Sequence, residues 1–82
     1  MQSEHEKAKA WREKHGLSID QLADLTGYGR RALYWMERGQ SPPNATRAKP
    51  AKVASWIWQR YRMLCAGVEA QLATGKKFNW GD

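Results

Sequence analysis

The sequence predicts an all-α fold, a small bundle of four to five helices finished by a long C-terminal helix. Three observations predict it. Apolar side chains recur at helical spacing in successive stretches of the chain. Each stretch gives out at a glycine, at Gly16, Gly27, Gly39 and Gly75, where the left-handed backbone that ends a helix costs nothing. A proline-rich polar run, QSPPNATRAKP, separates the short helices from the last one.

Residues 4–15, EHEKAKAWREKH, are good helix formers. Glu4 and Glu6 come early and Lys14 and His15 late, as the helix dipole favours. Ala8, Trp11 and His15 share a stripe, which places Trp11 over the back of whatever follows. His5 and His15 read as surface residues, too far from carboxylates to suggest a metal site.

The stretch from Leu17 to Gly39 organises the rest. Ser18 is a cap residue, and Ile19, Leu22, Ala23 and Leu25 follow with helical spacing until Gly27 stops them. A second helix starts three residues on, with Ala32, Leu33 and Met36 inward and Arg30, Arg31, Tyr34, Trp35 and Arg38 outside. Two helices crossing at a steep angle need a small residue at the crossing, a permissive turn and an apolar lock, which Ala23, Gly27, Leu33 and Met36 supply. The stretch reads as a helix-turn-helix.

In these residues the chain resembles the lambda-repressor/Cro-type (XRE-like) helix-turn-helix regulators. The shared pattern is Leu17-Ser18, Leu22-Ala23, Gly27 and Glu37-Arg38-Gly39, in register over residues 8–43. The resemblance implies that Arg12 pairs with Glu37 and fixes the angle between helices. It also places Arg30, Arg31 and Trp35 at positions that reach base edges, with Tyr34 at the flank. Two residues depart from the pattern. Gly29 replaces a Ser or Thr, losing a side-chain contact to phosphate, and Ile19 stands where the family often has a glutamine that touches the DNA backbone.

Arg30 and Arg31 oppose the dipole at the start of their helix, for which folding alone gives no reason. A helix directed into the major groove does, because arginine forks onto guanine O6 and N7 for about 1 to 3 kcal/mol of discrimination. Trp35 has two readings: stacking at the groove edge, or packing back toward the C-terminal helix. Arg47 and Lys49, in the proline-rich tether, suit phosphate contacts. The expected DNA-binding set is therefore Gly29, Arg30, Arg31, Tyr34, Trp35, Arg38, Arg47 and Lys49.

From Pro50, suited to a first helical position, one long helix is expected to run to Gly75. Val53, Ile57, Tyr61, Leu64, Val68 and Leu72 form a seam along it. A helix apolar on more than one face needs two things to pack on, here the helix-turn-helix and a second copy of the chain. Trp56, Ile57, Trp58, Tyr61, Leu64 and Val68 are the expected dimerisation residues. Gly67 either permits close approach or weakens the helix, and Phe78 and Trp80 suggest a docking tail. Residues 1–46 are thus read as the DNA-binding region and 47–82 as the helix and tail packed on it, in one compact domain.

Composition agrees. Among 82 residues, 14 Lys and Arg against 8 Asp and Glu give a net charge of +6, which favours polyanionic partners. Between Gly27 and Met63 the bases face only Glu37, so one basic face is expected. The lone Cys65 makes no disulfide framework, and no stretch has the length and apolarity of a membrane span or secretory signal. The expected compartment is the cytoplasm. No catalytic constellation, metal site, cofactor or small-molecule ligand is evident. The function expected is a homodimeric repressor on a palindromic operator, of phage or prophage type, with half-sites about 34 Å apart. The alternative is a protein-binding inhibitor presenting Trp35, Trp56, Trp58 and Trp80 as an aromatic patch.

Overall fold

A computed structural model describes residues 2–43, 46, 48–77, 79 and 81, and among them the chain forms four helices and one two-stranded ladder. The expected contacts of Arg47, Phe78 and Trp80 lie outside the described residues.

Helix α1 (Glu4–Lys14) begins at a capping box. Glu6 N donates to Ser3 Oγ at 3.4 Å and Ser3 N donates to Glu6 Oε1 at 3.2 Å, satisfying two of the amides a helix start leaves unpaired. Ser3 Oγ also donates to Glu6 Oε1 at 2.7 Å, and this bond, with that from Ser3 N, holds the Glu6 carboxyl below its usual range. Helix α2 (Ile19–Thr26) repeats the device with Ser18 and Gln21, at 3.0 and 2.8 Å. Gly27 ends it at φ 78°, and Thr26 Oγ1 bridges the turn, donating to Leu22 O and accepting from Tyr28 N. Helix α3 (Arg30–Met36) follows after three residues, as the sequence predicts.

The tether differs from expectation. Gln40–Ser41 (β1) pairs antiparallel with Ala51–Lys52 (β2), in the register Gln40 with Lys52 and Ser41 with Ala51. Helix α4 therefore starts at Ser55, not Pro50, and runs to Thr74, where Gly75 closes it at φ 69°. The reason lies in Val53. Its side chain is buried while the two residues before it give their backbone groups to the ladder, so this segment stays extended through Ala54.

Leu22, Leu33, Met36, Val53, Trp58 and Tyr61 form the core, with Ala8, Trp11, Leu17, Ile19, Ala23, Tyr28, Ile57, Leu64 and Cys65 packed against it. Tyr61 lies between two aromatic neighbours, Tyr28 at 5.8 Å and Trp58 at 5.9 Å between ring centroids. The core also takes up much of the expected dimer surface. Trp58, Tyr61 and Val68 are buried within the single chain, and Ile57 and Leu64 pack against its core, so the seam serves the fold itself. Of the six residues assigned to dimerisation, Trp56 is the large exposed one, at 58%.

Polar clasps fasten α1 along α4. Arg62 Nη1 meets Glu4 Oε1 at 2.6 Å, and Glu69 Oε1 lies 3.1 Å from His15 Nε2 and 3.4 Å from Trp11 Nε1. Trp11 covers the core from behind, as expected. His15 and His5 are half-buried rather than free on the surface. The His5 ring packs against Gly39, so close that a Cβ there would lie 2.7 Å from Nδ1.

Two outcomes follow from this packing. Gly39 has φ 76°, so Gly39→Ala combines a left-handed penalty of about 1–2 kcal/mol with the His5 clash. The expected loss in thermal midpoint is about 5–10 °C, and adding His5→Ala should recover only part of it. An unchanged midpoint would contradict the geometry. Burial also pushes the Cys65 thiol up to about 11 and the Tyr61 hydroxyl above its ordinary value. The folded chain then keeps protons that the unfolded chain loses, so stability falls as pH rises from about 9 toward 11. Urea midpoints across that window should decline, less steeply in Tyr61→Phe; a flat profile would contradict this.

Candidate nucleic-acid interface

Helices α2 and α3 meet through Leu22 and Leu33, both fully buried, so the position of α3 is set by apolar contact from beneath. Its exposed side is left to Arg30, Arg31, Tyr34 and Arg38. Gly29 caps the helix with extended backbone and offers no side-chain bond, so it adds no hydroxyl to the surface.

The outward residues are not equivalent. Arg30 Nη1 lies 3.1 Å from Asp20 Oδ1, both side chains about 70% exposed, a pair weak enough in water to exchange for another anion. Arg31 is exposed and makes no ion pair among the described residues. Arg38 lays its guanidinium 3.8 Å over the Tyr34 ring, an arrangement that holds both side chains flat. Trp35 stands edge-on to Tyr34 at 6.1 Å. It is half-buried, and the core cluster is built from other residues. Lys49 is exposed.

The end of α3 is fixed by charge. Arg12 Nε donates to Glu37 Oε2 at 2.7 Å and Nη2 to Oε1 at 2.9 Å. Its third nitrogen, Nη1, donates to Leu17 O at 2.8 Å. The side chains are 13% and 6% exposed, and the bonds to Glu37 raise the affinity of the guanidinium for its proton. The pairing implied by the resemblance is present, in the two-pronged geometry that arginine favours.

One residue escaped the sequence reading. Lys9 shares a hollow of about 310 Å³ with Arg12, Ile19, Tyr34, Glu37 and Arg38, which extends the basic surface from α3 onto α1. The signal was available, since Lys9 stands one turn before the arginine that pairs with Glu37. Of the aromatic patch of the alternative reading, Trp56 is exposed, Trp35 half-buried and Trp58 buried, while Trp80 lies outside the described residues. Among the described residues no cluster of three or more His, Cys, Asp or Glu could hold a metal ion, and no helix is long and apolar enough to cross a membrane.

The helix-turn-helix domain family matches residues 6–55, from within α1 through the β1–β2 ladder to the first residue of α4. The chain belongs to the helix-turn-helix domain family. The match spans the expected boundary at residue 46 and leaves the body of α4 outside. No curated relative and no solved structure matches the chain. The matched stretch contains α2, the turn at Gly27 and α3.

Proposed function

We propose that this chain is a sequence-specific regulator of transcription that binds double-stranded DNA, a homodimeric repressor on a palindromic operator, of phage or prophage type, working in a bacterial cytoplasm. The observation that carries the reading is Arg31, exposed and in no ion pair among the described residues, on the outward side of the second helix of a helix-turn-helix. Arg31 forks onto a guanine in the major groove. Arg30 exchanges Asp20 for the DNA. The stacked Tyr34 and Arg38 face the groove wall with Trp35 beside them, and Lys9 and Lys49, with Arg47, neutralise phosphates at the flanks. Repression follows from occupancy, because a bound dimer covers the promoter against polymerase.

Selection of bound sites from a random duplex pool, followed by titration of the recovered site, tests the reading. Arg31→Ala is expected to lower affinity for that site by about 10- to 100-fold and to leave the helical circular dichroism unchanged. The logarithm of affinity should fall with the logarithm of salt concentration at about −0.9 per phosphate neutralised. Failure to retain any duplex at low ionic strength, or an Arg31→Ala chain with unaltered sequence preference, would overturn the proposal.

A further inference from the structure

The outer face of α4 is unexplained by the fold. Trp56, Gln59, Arg60, Met63, Gly67, Ala70 and Thr74 are all exposed and fall on the side opposite Trp58, Tyr61 and Val68 at 3.6 residues per turn. Trp56 and Met63 are 58% and 72% exposed, and Arg60 is the single charge along about 30 Å of this face. Gly67 sits in the helix interior, where glycine is a poor choice, and among the described residues nothing beyond its own helix backbone lies within 4 Å of where its Cβ would be. Trp56 has the Arg60 guanidinium of its own helix 5.8 Å from its ring centroid, a contact that still leaves it 58% exposed, and neither the exposed Met63 nor the missing side chain at Gly67 is used by the fold.

We propose that two copies of the chain associate through this face, with their α4 helices antiparallel and Met63 of each seated over Gly67 of the other. The inference rests on the homodimer reading above and names its surface. Pairing about a two-fold axis near position 65 sets Met63 against Gly67, Arg60 against Ala70 or Gln71, and Trp56 against Thr74. Each large residue then meets a small one, and residue i meets j where j meets i, as two-fold symmetry requires. The charges are compatible, because each Arg60 faces the amide of Gln71 and stays about 15 Å along the axis from its mate. A single arginine is too little to attract an acidic partner, which favours a second copy as the occupant. The area is modest: Trp56, at 58% exposed, offers on the order of 150 Å², and a strip one helix wide falls at the low end of stable interfaces. The dimer is therefore weak when free and is consolidated on DNA, where two half-sites hold the copies together.

Sedimentation of the full chain, free and on the selected duplex, with a disulfide-trapping experiment, tests this surface. Gly67→Leu fills the hollow and is expected to weaken self-association at least tenfold while leaving thermal stability equal or higher. In a Cys65→Ala background, a Met63→Cys preparation and a Gly67→Cys preparation should form a mixed disulfide when oxidised together and little when oxidised alone, since the bond needs Cα atoms within about 7 Å. Trapping in Met63→Cys alone would overturn the antiparallel register. A dimer that survives Gly67→Leu and yields no mixed disulfide would overturn this face and leave the homodimer standing. A chain that is monomeric both free and on the selected duplex would overturn the homodimer reading itself, with DNA binding judged by the Arg31 titration. Should the Cys65→Ala background fail to fold, sedimentation of Gly67→Leu, which keeps Cys65, decides the matter: weakened self-association supports this face, and undiminished self-association overturns it.

Discussion

One guanidinium holds three parts of this protein in register. Arg12, on α1, closes a two-pronged bond with Glu37 at the end of α3 and with its remaining nitrogen holds the carbonyl of Leu17, just before α2. The apolar contact of Leu22 with Leu33 is non-directional and would tolerate a range of tilts. A planar donor held through each of its three nitrogens tolerates few. The net energy of such a buried pair is small because desolvation offsets attraction, so its role is to select one arrangement of helices.

Three further acids are held by the framework as well. Glu4 and Glu69 join α1 to α4, and Glu6 closes the cap of α1. Four carboxylates, with Glu37, are thereby tied to the framework, and Asp20 is the acid drawn to α3. The excess of base over acid thus falls on the exposed side of α3 and the adjoining part of α1, although the net charge of the chain is only +6. Placement of the few acids creates the basic face as much as placement of the bases does.

The helix-turn-helix was legible because each of its boundaries is written in a residue with a local physical effect. Ser18 caps, Gly27 and Gly39 turn, and Leu22 and Leu33 keep helical spacing. The Arg12–Glu37 pair was legible through family pattern alone, since no local rule links residues 25 positions apart. The two-residue strands were not legible, because two residues carry no periodicity and the prolines around them suggested only a tether. The seam along α4 was legible from spacing, since Val53, Tyr61 and Val68 are buried and Ile57 and Leu64 pack against the core. Spacing alone does not say whether such a seam packs on its own domain or on a second copy.

That one charged pair orients α3 is tested most directly by a double-mutant cycle of Arg12→Ala and Glu37→Ala read by urea unfolding. A coupling of about 2 kcal/mol or more is expected, with Arg12→Ala the costlier single change because it also releases Leu17. Single losses that simply add, with coupling below about 0.5 kcal/mol, would contradict it.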